Sequence, residues 1–287
     1  MLRDLAAFPK SCEGRHVRGD ILPLFEPARI HNAISLYIVL FFVGLAVSVF
    51  GSIVGLGGGF VLVPLLRLFF GLPPAIIAGT SLALVVTNNA AASLSYLRQR
   101  RVDVRTGLLI AAGGLPGSIL GASSVRTMSV HLFDWLLAIL TLAVAADILV
   151  NGYSRLSRRP PHGTVTMKWY SAVILGVAVG LLSGLFGAGG GILLISALFY
   201  FTELSAHEVT ATTQFSILFV AAIGLAAHYL QHDLRLTYAL PLILGGLVGG
   251  PIGARVSSHL KPRRLMSLVA VALIIAAAAL VARDLLP

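Results

Sequence analysis

Two glycine clusters, Gly55-Leu56-Gly57-Gly58-Gly59 and Gly187-Ala188-Gly189-Gly190-Gly191, are the stretches of this chain whose residue types best suit ligand binding. Each lies inside an uncharged apolar run of 34 residues, Ala33–Leu66 and Trp169–Thr202. A continuous helix of that length would reach about 50 Å, against a hydrocarbon core of about 30 Å. Glycine costs about 1 kcal/mol per residue inside a helix, so such clusters predict that both helices are interrupted. Backbone groups freed inside a membrane must be satisfied by protein, water or a solute. Where a helix restarts, its first amides are unpaired and its dipole end is positive, so a small anion can be held there without a cation. Gly57, Gly58 and Gly59, with Gly189, Gly190 and Gly191, would let the backbone approach that anion. The hydroxyls of Thr80, Ser81, Thr212 and Thr213 and the amides of Asn88 and Gln214 could supply the remaining hydrogen bonds.

Composition says what kind of chain must position these groups. It has 287 residues, 57% hydrophobic and 11% charged, with a mean hydropathy of +0.93. Soluble domains carry roughly 25% charged residues, so this is an all-α polytopic membrane protein. The net charge of +10 falls largely between apolar segments, where Lys and Arg set orientation and touch lipid; nucleic acid is not an expected partner. The single cysteine, Cys12, excludes an internal disulfide and a cysteine metal cluster. No cofactor or metal is expected. An enzyme would need a nucleophile or metal constellation, and no H-E-x-x-H, G-x-S-x-G or P-loop occurs.

The chain divides into a polar tail (1–31), a first membrane repeat (32–150), a basic linker (151–168) and a second membrane repeat (169–287). A shift of 132 residues carries Gly44 onto Gly176, the first glycine cluster onto the second, and Thr80 onto Thr212. It also carries Gly113, Gly117 and Gly121 onto Gly245, Gly249 and Gly253 without a gap. Two tandem homologous repeats follow, each with a broken first helix and about four spans: eight in all, or up to ten if the half-helices cross. Duplicated halves with matching interrupted helices point to a secondary transporter whose site lies between the repeats. Two threadings compete. If each broken unit crosses once, the repeats are parallel and the tail joins the Arg98–Arg105 loop and the linker in the cytoplasm. If each crosses twice, the repeats are inverted and the tail is expelled. The first is preferred on the positive-inside tendency.

Simpler roles compete for the same residues. The helically spaced Gly113, Gly117, Gly121 and Gly245, Gly249, Gly253 are assigned to close helix packing. Thr and Ser often bond back to a helix carbonyl instead of a solute. Asp147 is read as reaching the interface near Arg155, and His228 as a candidate relay for a coupling proton; both are carried as candidates for proton coupling. Asn88 and Asn89 either line the cavity or bond across helices.

The G-x-G-G-G motif after an apolar helix, Pro64 downstream, Gly79-Thr80-Ser81-Leu82, and the glycine motif again in the second half resemble the sulfite exporter TauE/SafE family of membrane permeases. The resemblance spans about residues 35 to 285. It implies a multi-pass protein of the bacterial inner membrane and transport, most often export, of sulfur-containing oxyanions or organosulfonates such as sulfite, sulfoacetate or thiosulfate. The second half departs from the motif, with Ser196 opposite Pro64 and Thr210-Ala211-Thr212-Thr213-Gln214 opposite Ala78-Gly79-Thr80-Ser81-Leu82. The expected partners are a small anionic substrate and membrane lipid, with a homodimer left open. An anion channel and a transport-inactive accessory subunit are the rival functions.

Overall fold

The apolar runs form helices throughout a computed structural model that describes residues 33–157, 167–257 and 263–285. The first broken unit is α1 (Ala33–Val54) and α2 (Gly59–Phe70). It is followed by α3 (Pro74–Arg98), α4 (Val104–Ser124) and α5 (Val130–Ser157). The second is α6 (Trp169–Phe186) and α7 (Gly191–Phe201), followed by α8 (Ala206–Leu230), α9 (Leu236–Val256) and α10 (Arg263–Leu285). Seven of the described helices are long and apolar enough to cross a membrane. The tail lies outside the described residues, as does the linker from 158 to 166, while α5 continues through Asn151 to Ser157.

Helix ends fall where the sequence supplies caps. Pro74 opens α3 at a first-turn position that needs no N–H. Asp103 caps α4 by accepting from the Thr106 N–H. Ser205 and Glu208 cap α8 reciprocally, so Glu208 is spent on the Ser205 N–H and does not stand free in a solvated turn.

Small residues decide which helices pair. A Cβ on Gly113, Gly117 or Gly121 of α4 would strike the carbonyls of Val173, Val177 and Leu181 on α6. Gly176, Gly180 and Gly184 of α6 meet the carbonyls of Ile110, Gly114 and Ser118 in return. Gly245, Gly249 and Gly253 of α9 lie in the same way on Phe41, Leu45 and Val49 of α1. Lipid supplies no hydrophobic drive between helices, so this backbone proximity is what holds them together. Opposite the seam, α4 turns Leu108, Leu115 and Ile119 outward.

These contacts fix the helix directions. Numbers rise together along α4 and α6 and along α1 and α9, so each pair is parallel. Gly246 of α9 sits on Thr87 and Gly250 on Asn88 and Ala91, which makes α3 parallel to α9. Gly107 of α4 meets Phe215, and Gly114 meets Val220, which makes α8 parallel to α4. Two triplets result, α1/α3/α9 and α4/α6/α8, meeting where α3 packs on α8; α5 pairs with α10 at the flank. The short α3–α4 link sets the triplets in opposite directions. Since α1 and α3 run the same way, α2 carries the chain back, and α6 opposes α1. The parallel threading preferred from loop charge is therefore incorrect: the halves run in opposite senses. At 12 residues, α2 is about 18 Å long, enough to return the chain from a partial depth.

Candidate functional site

Both glycine clusters interrupt their helices. Gly55, Gly57, Gly58, Gly187, Gly189 and Gly190 all have positive φ, where a side chain would cost about 1–2 kcal/mol. The Gly51 carbonyl ends α1 by accepting the N–H groups of Gly55 at 2.8 Å, Leu56 at 2.9 Å and Gly57 at 3.3 Å. Gly58 and Gly190 then start α2 and α7 with no side-chain cap. Both breaks are buried in protein and do not face lipid.

The two tips meet in the middle of the bundle. A Cβ on Gly59 would come within 2.7 Å of the Ala188 Cα, and one on Gly191 within 3.0 Å of the Leu56 Cα. Beside them runs the central part of α3: Gly187 packs on Ala78, Gly189 on Val85 and Gly57 on Asn89. Across from it Gly189 and Gly191 touch Ile217 of α8, and Gly55 touches Thr210. The restarting ends of α2 and α7 thus share one depth with polar side chains from α3 and α8.

Those side chains fall into two sets. Ser81 lies four residues before Val85 and Asn89 eight after Ser81, so all three share the α3 face on the breaks. Thr213 lies four residues before Ile217 and shares the corresponding α8 face. Ser81 Oγ, Thr213 Oγ1 and both amide atoms of Asn89 are buried and have no hydrogen-bond partner among the described residues; Thr80 Oγ1 is in the same condition. The second set is already engaged. Asn88 Nδ2 donates to the Gly57 carbonyl at 3.2 Å, and Ser52 Oγ donates to Asn88 Oδ1 at 3.0 Å. Gln214 Nε2 donates to the Ser52 carbonyl at 2.9 Å. Thr212 Oγ1 accepts the Asp103 N–H at 3.0 Å.

Among the expected site residues, then, Gly59 and Gly191 join the two breaks, Gly57 and Gly189 pack on the α3 and α8 faces that bear Ser81 and Thr213, and Gly58 and Gly190 pack back on Val47 and Val179. Asn88, Gln214 and Thr212 hold the walls. Asp147 accepts from Ser196 Oγ at 3.4 Å, in the second turn of α7. His228 is fully buried, and its Nε2 lies 2.9 Å from the Gly184 carbonyl, one turn before the second break.

Sequence reading left several contributors unassigned. Ser52 is the hub of the Asn88–Gln214 network, and its carbonyl also accepts the Tyr96 hydroxyl at 2.8 Å. Arg67 and Asp134 form a buried bidentate pair, Nε–Oδ1 and Nη2–Oδ2 both 2.6 Å, tying the end of α2 to the start of α5. Buried charge is costly unless paired, so this clamp fixes the outer end of the first half-helix. Among the described residues no group of three or more His, Cys, Asp or Glu could hold a metal ion.

A family profile described as "Sulfite exporter TauE/SafE" matches residues 40–280. The chain belongs to the sulfite exporter TauE/SafE family. It is 27% identical to the probable membrane transporter protein YunE of Bacillus subtilis over 259 residues, covering 83% of this chain and 95% of YunE. A probable membrane transporter protein of Xylella fastidiosa (strain Temecula1) is 29% identical over 223 residues, covering 76% of this chain and 82% of that protein. The probable membrane transporter protein MJ0441 of Methanocaldococcus jannaschii is 26% identical over 247 residues, covering 78% and 89%. No solved structure matches the chain. As a TauE/SafE protein with seven helices able to span a bilayer, it is a multi-pass membrane transporter and not an enzyme.

Proposed function

We propose that this TauE/SafE protein carries small sulfur-containing oxyanions or organosulfonates, such as sulfite, thiosulfate or sulfoacetate, and exports them. The substrate binds where the two broken helices meet, between two inverted homologous repeats. One observation carries the reading: the uncapped starts of α2 and α7 converge at one depth with the unpartnered hydroxyls of Ser81 and Thr213 and the unpartnered Asn89 amide. Buried polar groups without partners are costly, and a ligand with several acceptor oxygens would accept from the two hydroxyls, the Asn89 Nδ2 and the helix-end N–H groups together. The two helix ends add about half a positive charge each. The competing negative ends of α1 and α6 are muted, because the Gly51 carbonyl is already bonded and the Ser52 and Gly184 carbonyls accept side-chain donors.

The test is flux in proteoliposomes with sulfite, thiosulfate, sulfoacetate, taurine and sulfate. A carrier gives saturable flux for the sulfur oxyanions, and Gly58→Leu and Gly190→Leu abolish it while membrane insertion persists. Linear, unsaturable flux would identify a channel. Normal transport by both leucine variants would mean that the breaks serve packing alone.

A further inference from the structure

Each broken helix is capped at an equivalent carbonyl by a side chain from the far end of a neighbouring helix. In the first half the Tyr96 hydroxyl of α3 donates to the Ser52 carbonyl at 2.8 Å, three residues before Gly55. In the second, His228 of α8 meets the Gly184 carbonyl at 2.9 Å, three residues before Gly187. Carbonyls in the last turn of a helix have lost their intrahelical donors, so both contacts supply a missing bond. The Leu56 N–H shows the loss directly, since it donates to Gly51 and not to Ser52.

The two caps differ in two respects: the Ser52 carbonyl also accepts Gln214 Nε2 at 2.9 Å, and a tyrosine hydroxyl stays a neutral donor across the physiological range whereas an imidazole can change its charge there. A carbonyl can only accept, so His228 Nε2 carries a hydrogen in this geometry. Its other nitrogen, Nδ1, lies 3.4 Å from Asp233 Oδ2. If His228 were neutral and Asp233 ionised, two bare acceptors would face each other. The contact is attractive only when one further proton is present, on Nδ1 or on the carboxyl. Asp233 is the route for that proton, being 9% exposed at its side chain where His228 is fully buried. Arg126, half exposed, stands 3.7 Å from the other Asp233 oxygen and can retain the carboxylate when the proton leaves. Of the other elements in contact, α3 presents Gly79 to the His228 Cβ and α6 presents the Gly184 carbonyl, neither of them titratable.

We propose that His228 and Asp233 form a buried proton-binding site that locks the end of α6, and with it the second glycine break, only while the proton is bound. The lock is intact at low pH and releases as pH rises, while the Tyr96 cap on α1 holds at both. In a carrier this makes one of the two glycine breaks proton-responsive and leaves the other insensitive. That consequence for flux rests on the transport reading above; the proton site itself does not.

Deuterium exchange of the intact protein in lipid nanodiscs, without substrate, tests the site. Exchange in segments 182–191 and 50–59 is compared from about pH 5.5 to about pH 8.5, after correction for intrinsic exchange rates. The α6 segment should lose protection on the order of tenfold at the upper end, the loss of a hydrogen bond from a charged donor, while the α1 segment stays constant. His228→Gln keeps an amide donor for Gly184 and should hold protection at every pH. Asp233→Asn, whose amide can donate to a bare Nδ1, should also remove the pH response. The proposal is overturned if the wild-type α6 segment shows no pH dependence, if both segments respond alike, or if His228→Gln and Asp233→Asn respond as the wild type does. None of these results depends on which anion is carried.

Discussion

Gly187 and Gly189 belong to one break and have nearly the same backbone, φ +71° and +81°, yet alanine should act differently at the two. Forcing a side chain into the left-handed region costs about 1–2 kcal/mol at either. At Gly189 the new methyl would stand 3.1 Å from Ile217 Cγ2 and 3.2 Å from Val85 Cγ1, both side-chain methyls that can yield by a few tenths of an ångström. At Gly187 it would lie 2.6 Å from the Ala78 Cα and closer still to its carbonyl, which are backbone atoms of α3 with no freedom to move. Overpacking of that kind adds about 1–3 kcal/mol, so Gly187→Ala should cost about 2–5 kcal/mol and Gly189→Ala about 1–2. Thermal unfolding of the two variants in the same detergent reads the difference. Function should rank the other way relative to stability. Gly189 faces the helix surfaces bearing Ser81 and Thr213, so its alanine variant should lose sulfite flux beyond what its small stability loss explains. Equal destabilisation by the two substitutions, or unimpaired flux in Gly189→Ala, would refute the account of how the break is packed and what it faces.

Removing the unpartnered hydroxyls with Ser81→Ala and Thr213→Val should leave thermal stability within about 0.5 kcal/mol but raise the KM for the transported oxyanion, whereas Asn88→Ala or Gln214→Ala, by stripping partners from Ser52, should cost about 1–3 kcal/mol; melting curves and flux together separate the sets. Arg67→Ala or Asp134→Ala alone should destabilise by about 3–5 kcal/mol by stranding a buried charge, and the double variant Arg67→Met/Asp134→Leu should recover most of that loss in the same melts. In a Cys12→Ser background, a cysteine replacing His232 should react with membrane-impermeant maleimide on intact cells, and one replacing Arg100 only after permeabilisation; labelling of both from the same side would refute the inverted threading.

What could be read from sequence was whatever a local pattern dictates. Four glycines in five residues break a helix wherever it is placed, and a glycine every fourth residue makes a packing seam whatever the partner, so the breaks and the seams of α4 and α9 were both legible. Which of two adjacent polar residues faces the site was not. Asn88 and Asn89 stand about 100° apart on the helix, and only the packing of α3 against the first break assigns Asn88 to the Ser52 network and leaves Asn89 beside Gly57 without a partner. The Tyr96 and His228 caps were equally hidden, because their partners are backbone carbonyls of Ser52 and Gly184, and a carbonyl carries no sequence signature. Arg67 and Asp134 are 67 residues apart, and nothing local couples an arginine after an apolar run to an aspartate before another.

Direction was misjudged for a different reason, and the error shows how charge and topology interact. The tail carries five Lys and Arg, and grouping it with the Arg98–Arg105 loop satisfied the positive-inside tendency at the first opportunity. The tail also carries four acidic residues and three prolines, and orientation is set mainly by Lys and Arg in short loops near the helix ends. Once α2 returns the chain, the start of α1 and the end of α3 lie at opposite ends of the bundle. Arg98, Arg100, Arg101, Arg105, Lys168 and Arg255 then collect at one end of the described helices, against Arg126 and Arg235 at the turns of the other. By the positive-inside tendency that asymmetry favours a cytoplasmic α3–α4 loop and an external α8–α9 loop, the arrangement the maleimide labelling checks. Arg126 and Asp233 belong to the outer end, so the proton held between His228 and Asp233 would be drawn from the external side.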